Sequence, residues 1–595
     1  MVIKSNSATY RIQRVLEYST FFSKEEPIDI TATLKLFSRD SLVRMATIVS
    51  LHFGNYYTTD KARSFFSPEN INYNTYIVPH FNKYIKEHNL APDSLIPVFT
   101  FRTGLELWRN VFAIHVEEFQ NTVKKEDSEL LLFKILLSLN EKLFSIKANG
   151  KYQYELDEML FLNYYLTNDL NNYDFQAILQ PQIFFFKSLV DFIPNNPTLV
   201  KAVKILHGNW GITSWEEYFA TIVFLAHETE TYRKEQQIGL PILNLHNAIN
   251  NDQTGLLSPS LIRHLCIDEN EYIPYDYLVD NTIEMNIDYR IFRSKPLVKL
   301  KEKEEYVVIN IQLLCERLFN SLYFDFLPLI NGRKNSVGHL DYNKYFIEHR
   351  IFRSTMYSCI QSNIFTFPTY NDYTDVEERK EPDFYIRYPN SDIIIIECKA
   401  IKMNGSIRDE GDYYRLLDEL REKIVLKTRE LDKSRRPKKG YPEPIGLGQL
   451  IEHIDSIESD SFKWDDKIPD AVAYYPIIVF EDVRYFQPGF LSILNRWFYE
   501  LIESKNEIKL SEISIMPVMA VSINTLFLYN EYLKKNGLNR IVNKYVKEYC
   551  HYDIKTGKYH IPVDANFDAY LRRMPYRKQN IMENWLRKTK NKTYK

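Results

Sequence analysis

The chain has 595 residues, of which 45% are hydrophobic and 26% charged, a balance that is typical of folded globular proteins and excludes a disordered or fibrous chain. At about 150 residues per domain, this length predicts several domains. The formal net charge of -3 excludes a protein that binds nucleic acid by its overall charge, so any polyanion site has to be a local basic patch.

Signals for export, for membrane insertion and for several common kinds of active site are missing from the sequence. The first residues lack the apolar stretch of a signal peptide, and no run of about 18 apolar residues could span a membrane. The five cysteines lie far apart without a Cys-x-x-Cys pair, which indicates a reducing compartment and argues against structural zinc. No GxxxxGK[ST], GxSxG or HExxH motif occurs. We therefore expect a cytoplasmic protein without membrane contact.

The first half of the chain has the apolar spacing of helices, as in Glu129–Leu139 and Trp215–Ala226. It predicts a helical N-terminal domain over residues 1–215 and a helical or loop-rich connecting region over residues 216–290. No catalytic spacing of residues is found in this half.

Short strands begin near Phe292. Leu297–Lys301 and Tyr306–Ile309 flank an acidic turn and predict a β-hairpin that leads into a helix near Leu313–Leu322. Aliphatic runs then alternate with helical segments, which predicts an α/β domain over residues 291–535. Residues 536–595 form a basic, helical C-terminal extension in this interpretation.

Chemistry is concentrated in the segment Glu381–Ala400, which has the pattern of two strands around a turn at Pro389–Ser391. If the strands pair antiparallel about residue 390, Asp383 lies opposite Glu397 on the same face, with Cβ atoms about 4.5 to 5.5 Å apart. Like charges in such a pair repel unless a cation lies between them. The pairing therefore predicts a divalent metal at this place.

Glu397 and Lys399 lie two residues apart on the second strand and so share a face, whereas Cys398 points to the other face and leaves its backbone carbonyl free for a cation. The preceding run Ile393–Ile396 is apolar on both faces, as in a central strand. A Glu-x-Lys tripeptide alone is a common solvated pair, and Glu507–Lys509 is another. The combination of Pro-Asp, turn, aliphatic run and Glu-x-Lys is what indicates a metal-dependent nuclease.

These residues resemble the PD-(D/E)XK nuclease superfamily, whose fold is that of restriction endonucleases and RecB-type exonucleases. The resemblance covers roughly residues 340–480 and implies an α/β fold, with a mixed-sheet, restriction-endonuclease-like core in the C-terminal half after a mostly helical N-terminal region. It implies Mg²⁺, for which Mn²⁺ can substitute, and a catalytic Lys399 that orients or helps deprotonate the attacking water. The implied metal ligands are Asp383, Glu397, the Cys398 carbonyl and Glu348.

The family places a helix that bears a glutamate before its Pro-Asp strand. A helix is predicted over Asn343–Ser362, and Glu348 lies at the edge of its apolar stripe. Glu316, in an earlier helix, is the competing candidate. Glu348 fits better because the strand Ile364–Phe367 follows its helix in the order that the family uses.

A glycine-rich turn into a helix follows at Gly446–Ile454. Gln449 and His453 are four residues apart and share a face of this helix. The pair resembles the Gln-xxx-Tyr motif of RecB-like members, with His453 in place of tyrosine. Gln449 is expected in the catalytic site, while His453 is either a phosphate or base contact or a hydrogen-bonded or exposed histidine.

Two basic segments are candidates for contacts with the nucleic-acid backbone. Residues 421–439 hold nine basic and three acidic residues, and residues 570–595 hold nine basic residues against Glu583 alone. The alternative explanation for these two segments is that they are a solvated helix or a frayed terminus without a nucleic-acid contact. The residues predicted to bind nucleic acid, besides His453, are Arg435, Arg436, Lys438, Lys439, Arg572, Arg573, Arg577 and Lys578.

We expect a Mg²⁺-dependent DNA endonuclease, and by analogy an effector of prokaryotic defence against phage or plasmids. Two alternatives stay open. The chain is either a non-catalytic nucleic-acid-binding or assembly subunit with a nuclease fold, or a nuclease that cleaves RNA, because nothing in the sequence reads a 2′-hydroxyl. The sequence also leaves open a homodimer and a partner protein such as an ATPase or a sensor subunit.

Overall fold

The computed structural model describes residues 2–4, 9–11, 15–52, 65–67, 70–90, 98–144, 155–167, 175–234, 242–252, 255–274, 276–279, 282–285, 289–300, 304–330, 341–368, 381–402, 413–428, 442–469, 472–504 and 513–575. These residues fall into two compact units. The first unit is built within Met1–Ile146 and Leu166–Leu329, and the second within Lys147–Tyr165 and Ile330–Gln579. The chain is a mixed α/β protein with a mostly helical N-terminal region, as predicted.

Helices dominate the first unit. They are Tyr18–Phe21, Ile30–Lys35, Arg39–His52, Tyr73–Ile77, Val78–Glu87, Phe101–Phe112, Val116–Glu118, Lys125–Phe144, Phe175–Phe192, Ile193–Asn195, Pro197–Trp210, Trp215–Lys234, Leu245–Asn251, Pro259–His264, Arg290–Ser294, Ile311–Glu316 and Leu322–Phe326. Their apolar sides form a core around Trp108 and Leu136, neither of which has exposed surface. Both helical segments singled out from the sequence are confirmed, within Lys125–Phe144 and Trp215–Lys234.

The first unit also contains a four-stranded sheet and two separate hairpins. The strands are Val2–Lys4, Thr9–Arg11, Leu243–Asn244, Cys266–Asp268, Asp276–Val279, Thr282–Met285, Leu297–Lys299 and Glu305–Val308. The predicted hairpin is confirmed, because Leu297–Lys299 pairs antiparallel with Glu305–Val308. From the sequence, this hairpin is predicted to begin the second domain. It lies in the first unit, because its strands also pair with Cys266–Asp268 and Leu243–Asn244, which were not predicted.

A six-stranded mixed sheet lies at the centre of the second unit. Its strands are β1 (Phe365–Phe367), β2 (Phe384–Arg387), β3 (Asp392–Lys399), β6 (Ala473–Phe480), β7 (Ser514–Ile515) and β8 (Met519–Ser522). Between β3 and β6 the chain forms a separate hairpin of β4 (Leu426–Thr428) and β5 (Pro442–Pro444), and after β8 another of β9 (His551–Asp553) and β10 (Lys558–His560). The order across the sheet is β1, β2, β3, β6, with both β7 and β8 paired to β6.

Strand β3 is a central strand, as its apolar run predicts. It pairs antiparallel with β2 on one side and parallel with β6 on the other. All residues from Asp392 to Cys398 are buried, and Ile393–Ile396 have no exposed surface. The β2–β3 register pairs Phe384 with Ile396, which is the register predicted from the turn at residue 390.

Helices cover the second-unit sheet and carry further site residues. They are α1 (Asp341–Phe352, with π-helical hydrogen bonding), α2 (Arg353–Ser358), α3 (Tyr413–Ile424), α4 (Leu447–Glu458), α5 (Phe490–Ser504), α6 (Ile523–Leu528), α7 (Asn530–Asn536), α8 (Leu538–Tyr549) and α9 (Phe567–Leu571), besides Leu156–Thr167 and a turn at Val483–Tyr485. The helix predicted around Glu348 is confirmed by α1 and α2. No helix among the described residues has the length and apolarity that crossing a membrane requires.

Candidate active site

Asp383 lies one residue before β2, at the open end of the β2–β3 pair. Its Oδ2 accepts a hydrogen bond of 2.7 Å from the backbone N–H of Cys398. In an extended strand the N–H and C=O of one residue point to the same side, so the Cys398 carbonyl also faces the side on which Asp383 lies. The register thus brings Asp383 to the end of β3, as the turn at residue 390 predicts.

Lys399 joins the two carboxylates to helix α4. Its Nζ lies 3.0 Å from Glu397 Oε2, 3.9 Å from Asp383 Oδ2 and 2.8 Å from Gln449 Oε1. Glu397 has no exposed side-chain surface, whereas 14% of the Lys399 side chain and 26% of that of Asp383 are exposed. The site is therefore reached from solvent at Asp383 and Lys399, while Glu397 lies beneath them.

His453 contacts Glu397 and lies in the interior. Its Nε2 is 3.2 Å from Glu397 Oε1, and only 6% of the residue is exposed. An ionised carboxylate only accepts hydrogen bonds, so Nε2 carries the hydrogen. From the sequence, His453 is either a nucleic-acid contact or a hydrogen-bonded or exposed histidine. In the structure it is hydrogen-bonded, because its face of α4 packs on β3.

The turn that begins α4 sets the position of Gln449. Gly446 has φ +49°, and its N–H donates a 2.9 Å hydrogen bond to Gln449 Oε1. A Cβ at Gly446 would lie 2.5 Å from the carbonyl oxygen of Ile424. The same amide oxygen of Gln449 thus caps the helix and holds Lys399, which makes Gln449 a residue that positions Lys399.

Glu348 and Glu481 add negative charge around this group. Burial is the main cause that raises the pKa values of Asp383 and Cys398, and the charge of Glu348, half-buried on α1, adds to it. Glu481 follows β6 directly, and its N–H donates to the Lys399 carbonyl at 3.4 Å. Glu481 was not predicted from the sequence. The signal was an acid immediately after the aliphatic strand Pro476–Phe480, since the carboxyl ends of parallel strands meet at one edge of the sheet.

Burial and neighbouring charges shift the pKa values of Asp383 and Glu397 in opposite directions. Burial, helped by the neighbouring Glu397 and Glu348, raises the pKa of Asp383 well above its ordinary value, against the opposing effect of Lys399. Burial also acts to raise the pKa of Glu397, but Lys399 and His453 outweigh it and lower that pKa to about 2. Glu397 is therefore the more acidic carboxylate of the pair.

The same carboxylates fix the charge of Lys399. Burial acts to lower its pKa, but Glu397, Asp383 and Glu348 outweigh burial and raise the pKa above the ordinary value for lysine. Lys399 is thus an ammonium group that can donate hydrogen bonds and stabilise negative charge.

The donor set fits a hard divalent cation. Within the described part of the chain no three His, Cys, Asp or Glu side chains form a metal-binding group. Mg²⁺, however, is commonly held by one or two carboxylates and keeps several waters. Asp383, Glu397 and the Cys398 carbonyl supply such oxygens, with the Lys399 ammonium now lying between the carboxylates. If Lys399 leaves them, it still has Gln449 as a partner.

Other residues named from the sequence are placed elsewhere or lie outside the described residues. Glu316 belongs to the first unit, where Arg293 and Gln312 bond to its two oxygens at 2.8 and 3.0 Å. Arg572 pairs with the buried Asp568, and Arg573 donates to the Tyr549 hydroxyl at 3.1 Å. Arg435, Arg436, Lys438, Lys439, Arg577 and Lys578 lie outside the described residues.

Comparisons of the chain with protein-family models, with curated proteins and with solved structures give no match. The geometry of the site is therefore the basis on which a function is assigned.

Proposed function

We propose that the protein is a metal-dependent nuclease that hydrolyses phosphodiester bonds of DNA at the open end of β3, with the mixed sheet as a restriction-endonuclease-like core. The observation that carries this proposal is that the side chains of Asp383, Glu397 and Gln449 converge on the ammonium group of Lys399. Its ammonium contacts Glu397 at 3.0 Å and Gln449 at 2.8 Å, with Asp383 at 3.9 Å. The carboxylates come from the hairpin and Gln449 from α4, in the chain order expected for PD-(D/E)XK nucleases.

In this proposal Asp383, Glu397 and the Cys398 carbonyl hold Mg²⁺, or Mn²⁺ in its place, and Glu348 supports the site directly or through water. When bound, the cation lowers the pKa of a coordinated water and offsets negative charge on the phosphate. Lys399 donates from its ammonium to the attacking water or to a phosphate oxygen, and so stabilises charge that develops there. Gln449 holds the lysine in reach of that position, and His453 keeps Glu397 oriented.

Hydrolysis at this site balances without a further reactant. The oxygen of water bonds to phosphorus, one P–O ester bond breaks, and the departing oxygen takes up a proton. Asp383 is the carboxylate open to solvent, so it lies on the side from which a backbone phosphate approaches. A buried cluster of acids and a lysine at the end of a central strand is difficult to explain by stability alone, because buried ion pairs gain little over apolar packing.

Cleavage of supercoiled and linear DNA by the full chain tests the proposal. We expect cutting with Mg²⁺ or Mn²⁺, none with EDTA, and a loss of at least about 100-fold in Asp383→Asn and Glu397→Gln, because each variant removes a ligand charge at nearly constant volume. Glu507→Gln, in the other Glu-x-Lys tripeptide, is the matched control and should cut normally. Thermal melts should show all variants folded.

The products and controls separate the alternatives. Nicked or linearised circles indicate an endonuclease, and progressive shortening of linear DNA indicates an exonuclease. Cutting of an RNA control, without cutting of DNA, would contradict the assignment of the substrate. No metal-dependent cutting of either nucleic acid would contradict nuclease activity and favour a binding or assembly subunit.

A further inference from the structure

Helix α8 carries a row of cations on its outer face. Its inner face is buried through Leu538, Ile541, Val542, Tyr545 and Val546. Arg540, Lys544 and Lys547 are all exposed, and at 100° per residue they fall within about 60° of one another. We call these three residues the basic stripe. It extends about 10 Å along the helix.

The three cations of the basic stripe have no acidic partner among the described residues. Among the described residues, none makes an ion pair or side-chain hydrogen bond with Arg540, Lys544 or Lys547. Helix α8 has one acid, Glu548. On α3, by contrast, Arg421 pairs with Glu500 at 2.8 Å. The charge of the stripe is therefore available to an external partner.

Helix stability does not account for this arrangement. Arg540 lies in the first turn of α8, where the helix dipole and the unpaired N–H groups disfavour a positive charge, and no acid lies in that turn. Only Lys547, in the last turn, is placed where a cation stabilises the helix. An exposed arginine in the first turn of a helix without a neighbouring acid suits an anionic ligand better than it suits the helix.

The stripe is held at the opposite end of the sheet from the candidate active site. Asn539 Nδ2 donates to Asp392 Oδ2 at 2.7 Å, at the start of β3. Asn543 Nδ2 donates to the Tyr475 hydroxyl at 2.7 Å, near the start of β6. Five residues of strand, about 16 Å, separate Asp392 from Glu397. The stripe and the carboxylates thus lie at opposite ends of the same sheet.

We propose that the basic stripe is a second DNA contact, which binds the phosphate backbone of duplex DNA away from the point of cleavage. It rests on the proposed function, which supplies a polyanionic substrate to this same unit. A shallow depression of about 570 Å³ lies over the stripe, lined by Arg540, Asn543, Lys544, Lys547 and Glu548. Duplex DNA carries one charge per about 1.7 Å of its axis, so a 10 Å row of cations faces several phosphates at once.

The test measures duplex binding by the full chain as a function of salt, with EDTA present so that binding is read without cleavage. Lys544→Gln/Lys547→Gln is compared with Lys201→Gln/Lys204→Gln, a pair of exposed lysines with the same spacing on Pro197–Trp210. For a duplex of about 30 base pairs we expect the first variant to flatten the slope of log affinity against log salt by about 1.8, because each lost phosphate contact removes about 0.9. Affinity should fall by at least about tenfold, and the control should match the wild type.

An unchanged slope in Lys544→Gln/Lys547→Gln, or a wild type that does not bind duplex DNA, overturns the proposal. The proposal is also overturned if Lys544→Gln/Lys547→Gln binds polyglutamate more weakly than the wild type but binds DNA equally well. That result would indicate that the stripe binds an acidic protein. The cleavage assay is read separately. If the wild type cuts DNA but the variant shows the same slope of log affinity against log salt, the stripe is not a DNA contact and the nuclease proposal stands. If the variant binds DNA more weakly but the wild type shows no metal-dependent cutting, the stripe is a DNA contact and the nuclease proposal is wrong.

Discussion

Both oxygens of Glu397 are engaged, Oε2 by Lys399 at 3.0 Å and Oε1 by His453 at 3.2 Å. A carboxylate that is fully buried and held from two sides has one orientation. Lys399 is partly exposed and has Gln449 as a second partner, so it can move away from Glu397, whereas His453 is enclosed in the packing of α4. His453 is therefore the residue that keeps Glu397 directed at the opening.

Replacing His453 should weaken metal binding more than it weakens folding. His453→Leu removes the hydrogen bond to Glu397, and the loss of such an outer partner costs about 10- to 100-fold in metal affinity. We expect the Mg²⁺ concentration for half-maximal cleavage to rise by that factor. His453→Gln keeps an N–H donor at the end of a side chain of similar reach and should recover most of the affinity.

Metal titrations of cleavage, together with direct Mn²⁺ binding to the full chain, measure this effect. If His453→Leu needed no more metal than the wild type, His453 would have only a packing role.

At the scale of elements, helix α4 connects the sheet to the turn at Gly446. Gln449 reaches Lys399 because the first turn of the helix lies close to the end of α3, where a Cβ at Gly446 would meet the Ile424 carbonyl oxygen at 2.5 Å. The backbone at Gly446, with φ +49° and ψ -102°, is a conformation that other residues rarely adopt. The glycine thus permits the close approach that holds Gln449 near Lys399.

We expect Gly446→Ala to lower both stability and activity. The strained backbone costs about 1 to 3 kcal/mol, and relief of the contact with Ile424 moves Gln449 away from Lys399. Gly208→Ala is the matched control, because a Cβ at Gly208, in the helix Pro197–Trp210, would have nothing within 4 Å. That change should be neutral or slightly stabilising, since alanine favours helices over glycine by up to about 1 kcal/mol.

Urea unfolding and cleavage rates of the two variants measure the difference. Equal stability of both variants would contradict the role given to the turn.

Local patterns in the sequence predicted the hairpin, the register and the clustered residues Asp383, Glu397 and Lys399, because a short turn fixes which residues face each other. The i, i+4 spacing also predicted that Gln449 and His453 share a face. The partner of His453 was not predictable, since it depends on how α4 packs on β3. The π-helical hydrogen bonding of α1 and the short strands of the first unit likewise have no periodic signal. The basic stripe does have a periodic signal, at i, i+4 and i+7, but it is weaker than that of the denser charge runs.

At the scale of the whole molecule, the two units have separate cores. The core of the first unit includes Leu136, and the sheet of the second includes Ile395, both without exposed surface. Chains of this kind commonly do not unfold in a single step. The site residues all belong to the second unit, so their arrangement depends on that unit's core.

We expect two unfolding transitions that respond to different substitutions. Leu136→Ala should lower the free energy of unfolding of the first unit by about 2 to 5 kcal/mol, and Ile395→Ala should lower that of the second unit by a similar amount, since each removes buried methyl groups from a packed core. Cleavage activity should be lost in the transition of the second unit, which Ile395→Ala shifts to lower temperature. Calorimetry with parallel activity measurements checks this, and a single transition shifted equally by both changes would contradict independent cores.

The parallel pairing of β3 with β6 has a consequence for how the protein is made. During synthesis, β2 and β3 leave the ribosome together, with Asp383, Glu397 and Lys399 already in place along the chain. Helix α4, which holds Lys399, and strands β6, β7 and β8 on the other side of β3 are added later. A chain that ends before β6 contains Asp383, Glu397, Lys399 and Gln449 but lacks the strand that pairs with β3 along its whole length. On the proposed function, we expect such an unfinished chain to leave the DNA of the cell uncut.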